Sequence, residues 1–171
     1  MTASFVQTKH VQLLEEPIVS RGRFSFRKPD RVRLDIDEPM RSTVLIKGRE
    51  IHVPGMSEAD RQAVAGAPAA AMFAQLGQVF SGDTAKLQEG FEVSAVASGT
   101  GIDVTLVPRL EAWRTVFRRM EIRFDGADLA VREVRLDDAF GDRLEVKMEG
   151  LQRNVDLPDS IFEPADVKPQ G

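Results

Sequence analysis

The sequence predicts a mainly β protein of the α+β class: one long antiparallel sheet accompanied by a small helical segment. Three observations predict it. Apolar and polar residues alternate with period two in many short segments, Gly, Pro and Asp separate those segments, and no strand–helix alternation of the kind a parallel crossover sheet requires is present. At 171 residues, 42% of them hydrophobic and 29% charged, the chain has the size of one domain with a sizeable core, and residues 1–171 are read as that single domain.

In chain order, Phe24 and Phe26 share one side of a first clear strand, with Arg23 and Ser25 on the other. Lys28-Pro29-Asp30 forms the turn, since proline presets φ and aspartate bonds nearby backbone. The returning strand sets Val32, Leu34 and Ile36 against Arg31, Arg33, Asp35 and Asp37, so the charge-rich run FSFRKPDRVRLDIDEP reads as the wet face of a half-buried hairpin. Val44 and Ile46 precede Lys47-Gly48, and Ile51 and Val53 precede Pro54-Gly55.

Residues 57–82, SEADRQAVAGAPAAAMFAQLGQVFSG, break the period. The stretch is rich in alanine and opens with Ser57 and Asp60 at capping-box spacing, which predicts helix. Pro68 divides it, because proline removes a backbone donor inside a helix but suits a first helical position. In the second half Met72, Phe73, Leu76, Val79 and Phe80 fall on one stripe, and Gly82 closes it. Alternation then returns in Phe91, Val93 and Ala95; in Ile102, Val104 and Leu106; and in Ile122 and Phe124. Val134 and Leu136, then Leu144, Val146 and Met148, complete it. Ser98-Gly99-Thr100-Gly101, Asp125-Gly126-Ala127-Asp128 and Phe140-Gly141-Asp142 supply turns, and a helical turn is expected over 110–117, around Trp113.

Composition excludes several kinds of chemistry. A net charge of -4 gives no overall attraction to phosphate backbones, so no nucleic-acid partner is expected. The absence of cysteine removes disulfides, thiol nucleophiles and Cys-containing zinc sites. His10 and His52 stand on separate strand-like segments without a triad context, and the acidic run 137–142 lacks EF-hand spacing and reads as a hairpin turn. With no nucleophile elbow, P-loop or dinucleotide fingerprint, no enzyme, metal or cofactor is expected. The carboxylates lie on wet strand faces, where they are solvated and have no reason to acquire pKa values shifted for acid-base work. A long sheet with one apolar face and a modest helical pair can hide that face by closing into a barrel, or by lying curved beneath a helical lid. A lid of Ala, Met and Phe leaves room for an apolar guest, the alternative being a fully packed core.

Phe5-Val6-Gln7-Thr8-Lys9, Ser20-Arg21-Gly22-Arg23-Phe24, Arg27-Lys28-Pro29-Asp30-Arg31-Val32-Arg33, Pro39 and Val44-Leu45-Ile46-Lys47-Gly48 occur in this order, followed by Phe140-Gly141-Asp142, Asn154, Leu157 and Phe162. Together they resemble the LolA-type family of periplasmic outer-membrane lipoprotein carriers, from Ala3 to about Pro164. The resemblance implies an incomplete antiparallel β-barrel, a curved half-barrel whose concave apolar face is closed by the helices at 57–82. It implies a non-enzymatic, cofactor-free carrier, expected as a monomer. Such a carrier takes lipoproteins from an inner-membrane lipoprotein-releasing ABC transporter and passes them to an outer-membrane lipoprotein receptor. Acyl chains then lie between Phe24, Phe26, Val32, Leu34 and Ile36 of the sheet and Met72, Phe73, Leu76, Val79 and Phe80 of the lid. In the family a basic residue before the hairpin proline holds the lid; here Lys28 has that position, with Arg27 beside it, and lysine lacks the planar fork of arginine. Leu34 stands where many members have an aromatic residue. The family's signal peptide and N-terminal helix do not precede Phe5, which implies a processed or truncated chain, or a misplaced start. A carrier or sensor of another lipid on the same fold, or an interaction domain with a filled core, are the other readings.

Overall fold

The computed structural model describes residues 1–48, 50–53, 57 and 84–164. The helical segment expected at 57–82 therefore lies outside the described residues, apart from Ser57. The strands are β1 (Thr2–His10), β2 (Ile18–Arg27), β3 (Arg31–Glu38), β4 (Ser42–Lys47), β5 (Glu50–His52), β6 (Phe91–Ser98), β7 (Gly101–Pro108), β8 (Phe117–Asp125), β9 (Val131–Asp138) and β10 (Arg143–Gln152). Two short helices, α1 (Thr84–Gly90) and α2 (Glu111–Arg114), and a 3-10 turn (Asp159–Phe162) accompany them. Among the described residues the strands form one ten-stranded antiparallel sheet in the order β5-β4-β3-β2-β1-β10-β9-β8-β7-β6, unclosed, with β5 and β6 at its two ends.

Register converts the alternation into two faces. Phe24 pairs with Leu34 and with Ala3, Phe26 pairs with Val32, and Gly22 pairs with Phe5 and Ile36, so all of these share the inner face. On the other half, Leu106 pairs with Val93 and Met120, and Val104 pairs with Ala95 and Ile122. Ala3, Phe5, Phe24, Phe26, Leu106, Met120 and Ile122 belong to a single core cluster, against which Val32, Leu34, Ile36, Val93 and Val104 pack. Gly22 sits beside a bulge, and a methyl there would collide with the Asp35 carbonyl oxygen, so only glycine permits this approach of β2 to β3. One end of the inner face is sealed. Phe91, Leu106 and Phe117 are 0% exposed, with the Phe91 ring 5.0 Å from Trp113 and 6.0 Å from Phe117.

The outer face of β7 to β10 carries columns of alternating charge. Asp103, Arg123, Glu133 and Lys147 follow one another across four strands in register. Arg123 donates to Asp103 at 2.8 and 3.0 Å and lies 3.8 Å from Glu133, and Arg135 donates to Glu133 at 3.0 Å. Opposite charges directly across a pair stabilise a sheet modestly while keeping that face solvated.

The outer face of β3 departs from the wet face expected. The chain after β10 crosses it: the 3-10 turn packs on β3 and β4, burying Phe162 and, on the outer face of β4, Leu45. Arg33 donates to the Ile161 carbonyl at 2.7 Å, so its side chain is 27% exposed and that of its partner Asp35 only 19%. The helix α1 was also not foreseen; its seven residues follow the expected stop at Gly82 and place Leu87 in the core. Periodicity over so short a run does not distinguish helix from loop. The helical turn around Trp113 is present, as are the turns at 99–100 and 139–142, where Asp138 accepts from the Phe140 and Asp142 amides at 2.8 and 2.9 Å. Among the described residues no helix is long and apolar enough to cross a membrane.

Candidate functional site

At the end away from the Phe91–Phe117 seal, the inner face borders a cavity of about 810 Å³. Its apolar wall comes from alternate residues of consecutive strands: Val93 and Ala95 on β6, Ile102 and Val104 on β7, Ile122 and Phe124 on β8. Phe26 of β2 and Leu87 of α1 border the same space. Its volume falls within the roughly 300–1,000 Å³ of ligand sites, and this kind of lining is what apolar guests occupy.

The mouth is different in character. Arg27 and Lys28 at the β2–β3 hairpin, and Arg153, Asn154 and Asp156 after β10, border it together with Leu129 of the β8–β9 turn. Arg27 donates to the Leu157 carbonyl at 3.1 Å and to Asp159 at 2.7 Å, and Arg31 also donates to Asp159. Two guanidinium groups thus share one carboxylate. Leu129 and Asn154 have φ of 52° and 56°, in the left-handed region that costs most residues energy. The turn around Leu129 is held by Asp125 and Asp128, which accept from the Ala127 and Ala130 amides at 2.9 and 2.8 Å, and by Arg132, which lies 3.2 and 3.5 Å from the two carboxylates.

A second, polar recess of about 510 Å³ lies on the outer face, bordered by Arg23, Ser25, Arg33 and Asp35 and roofed by Ile161. Arg33 donates to both Asp35 oxygens at 2.7 Å, and Thr43 donates to one of them at 3.0 Å. Hydrogen bonding from Arg33 holds the Asp35 carboxyl below its usual range. Asp103 is lowered in the same way by Arg123, and Asp125 chiefly by the Ala127 amide. All three shifts are downward. Their direction is that of structural ion pairs, opposite to that of a general acid. Among the described residues no cluster of His, Asp and Glu is arranged to hold a metal ion.

Of the sheet residues singled out in the sequence, Phe26 borders the cavity. Phe24, Val32, Leu34 and Ile36 share its inner face and pack in or against the core cluster. Arg27 and Lys28 stand side by side at the mouth. Met72, Phe73, Leu76, Val79 and Phe80 lie outside the described residues. His10 and His52 end β1 and β5, with β2, β3 and β4 between those strands. Sequence reasoning missed the wall formed by β6, β7 and β8. Its alternation was visible, but which inward residues face open space depends on register and on strands far apart in the chain.

A family model described as outer membrane lipoprotein carrier protein LolA matches residues 1–165. An outer-membrane lipoprotein carrier protein of Dechloromonas aromatica (strain RCB) is 25% identical over 169 residues, covering 95% of this chain and 75% of that protein. A carrier of the same description from Pseudomonas putida (strain GB-1) is 27% identical over 84 residues, 49% of this chain and 39% of that relative. The matched stretch is thus well under half of the Pseudomonas protein's length. Among solved structures, the Pseudomonas aeruginosa MucA/MucB complex is similar in fold, with a TM-score of 0.50 and 11% identity over 96% of this chain and 56% of that chain.

Proposed function

Because the chain belongs to the LolA family of outer membrane lipoprotein carrier proteins, we propose that its cavity shields acyl chains from water while they pass between membranes. The observation that carries this reading is the apolar cavity bounded by strands far apart in one open sheet. β2 and β7 are five positions apart, about 24 Å in a flat sheet at the usual ~4.8 Å spacing, whereas a round space of 810 Å³ would be roughly 12 Å across. The sheet is therefore best read as a curved half-barrel, concave toward the guest, within one domain.

The lid is the segment 57–82, whose Met72, Phe73, Leu76, Val79 and Phe80 stripe covers the guest, with Lys28 and Arg27 as its latch. Each CH₂ taken from water contributes roughly 0.8 kcal/mol, so a single acyl chain gives reversible retention, and a lid that must be displaced weakens it further. Such a carrier works in the periplasm, receiving lipoproteins from an inner-membrane ABC transporter and delivering them to an outer-membrane receptor, without covalent chemistry. The apolar lining is equally compatible with a second reading, carriage or sensing of another lipid by the same cavity.

The test is a mass spectrum of organic extracts from protein purified out of membrane-containing cells. Acyl species are expected from the native chain and not from Phe73→Glu, whose far-UV spectrum stays β-rich. Extracts of native protein repeatedly free of acyl species would sink the carrier reading.

A further inference from the structure

An unclosed sheet leaves two edges, and the two edges here differ in kind. β5 is three residues long and carries Glu50, a short charged edge of the sort that discourages further pairing. β6 is eight residues long, pairs with β7 from end to end without a bulge, and has no charge, proline or glycine between Val93 and Ser98. Ser94, Ala95, Val96 and Ala97 are all exposed, Val96 at 66%. On the outer face the column of alternating charge stops at Asp103, because its partner on β6 is Val96.

The pairing phase shows which backbone groups this edge offers. The β6–β7 hairpin closes on Ser98 and Gly101 around a two-residue turn, and past its other end the Arg109 amide donates to the Gly90 carbonyl at 2.9 Å. Bonded pairs recur at every second residue of an antiparallel ladder, so Glu92, Ser94 and Val96 share their amides and carbonyls with β7. Those of Val93, Ala95 and Ala97 point the other way, and among the described residues nothing pairs with them. Pro108 fits the same phase, since it faces Phe91 where the ladder requires no amide. The Phe91 carbonyl accepts from Arg109 Nε at 3.0 Å, so the open run starts at Val93. Side chains of the same three residues point to the inner face, and Val93 and Ala95 are part of the cavity wall. One stretch of chain thus lines the apolar space and, along its margin, presents backbone donors and acceptors that the described strands leave unpaired.

We propose that β6 docks the polypeptide of the guest: the extended segment next to its acyl chain adds to β6 as one more antiparallel or parallel strand while the acyl chain lies in the cavity. The inference rests on the lipoprotein reading of the guest. Main-chain pairing of this kind needs no particular side-chain sequence in the guest. A second copy of the chain is the poorer occupant, because pairing over eight residues at most buries less than the ~1,200 Å² of a stable interface. A peptide joined to an acyl chain already held in the cavity needs no such area, since its pairing is intramolecular, at an effective concentration on the order of mM.

The experiment is displacement of the apolar fluorophore N-phenyl-1-naphthylamine from the full chain by three guests, all below micelle-forming concentrations. They are an N-palmitoyl hexapeptide of alternating threonine and serine, the same lipopeptide N-methylated on every peptide nitrogen, and palmitate. N-methylation removes the donors and crowds the pairing edge without touching the acyl chain. The unmethylated lipopeptide is expected to displace the fluorophore at concentrations about ten-fold below the methylated one, the scale of one or two net hydrogen bonds. Ala97→Pro removes an amide from the open side of β6, spares the β6–β7 ladder and lies outside the cavity wall. It should shrink that gap several-fold while displacement by palmitate stays as it was. Amide exchange reads the strand itself. In the empty chain the Val93, Ala95 and Ala97 amides should exchange fast, and they should slow by roughly ten-fold or more with the lipopeptide but not with palmitate. Equal displacement by the two lipopeptides, or amides already slow in the empty chain, overturns the docking edge and leaves the acyl cavity standing. A dimer of the empty chain that Ala97→Pro dissociates also overturns it, assigning β6 to a second copy. Displacement by none of the three guests overturns the cavity reading as well.

Discussion

Arg33 shows how one side chain ties β3 to the C-terminal segment on the outer face. Its guanidinium holds Asp35 with two hydrogen bonds and reaches the Ile161 carbonyl with a third, so β3 and the C-terminal segment share one donor. Because Arg33 lowers the folded-state pKa of Asp35, the carboxylate contributes stability fully above its unfolded value near ~3.9. That contribution disappears as pH falls through the lower folded value. Asp35→Asn should therefore destabilise the chain by about 1.5 kcal/mol at neutral pH, the low end for hydrogen bonds to charged groups because the pair is partly exposed, and have progressively less effect below pH ~4. Urea midpoints measured from pH 3 to pH 7 check this; a difference constant across that range would contradict it. The sequence shows Arg33 and Asp35 only as neighbours on one strand face. That the face is covered depends on a segment ~128 residues away, a contact that alternation does not encode.

At the level of elements, most strands were legible because each repeats the same physical pattern. Val104 and Leu106, or Val134 and Leu136, alternate with charged or polar residues between Gly-, Asp- or Pro-containing turns. The element hardest to foresee is the crossing from β10 to the 3-10 turn, where Asn154, Leu157 and Phe162 carry no periodicity. Its packing is an outer-face satellite to the main core, with Phe162 and Leu45 at 7% and 6% exposure. Phe162→Ala should cost about 3 kcal/mol, toward the lower end for buried phenylalanine because the site lies at the surface. Amide exchange should rise first in β3 and β4, on which the turn packs, while the Phe91 and Phe117 region stays protected. Uniform loss of protection would show instead that this segment is part of the main cooperative unit.

On the scale of the whole molecule, the described residues show both packing and open space on one face of the sheet. That face is packed around Phe91 and Phe117, and it borders about 810 Å³ of space toward Ile102, Phe124 and Leu129. The alternation reveals an inward face without saying which part of it meets packing and which meets space, and so the site was only partly legible. Val104 lies on that boundary, half-buried and paired with Ala95 and Ile122, both of which also border the cavity. Overpacking a filled core costs typically about 1–3 kcal/mol, whereas a larger side chain entering real space is accommodated and displaces a guest. The decisive measurement is equilibrium binding of an anthroyloxy-labelled stearate to the native chain and to Val104→Trp. Saturable binding to the native chain, at least ten-fold weaker in the variant, is the result expected if the cavity holds acyl chains. Equal affinity in the two proteins, or no saturable binding to the native chain, would contradict it.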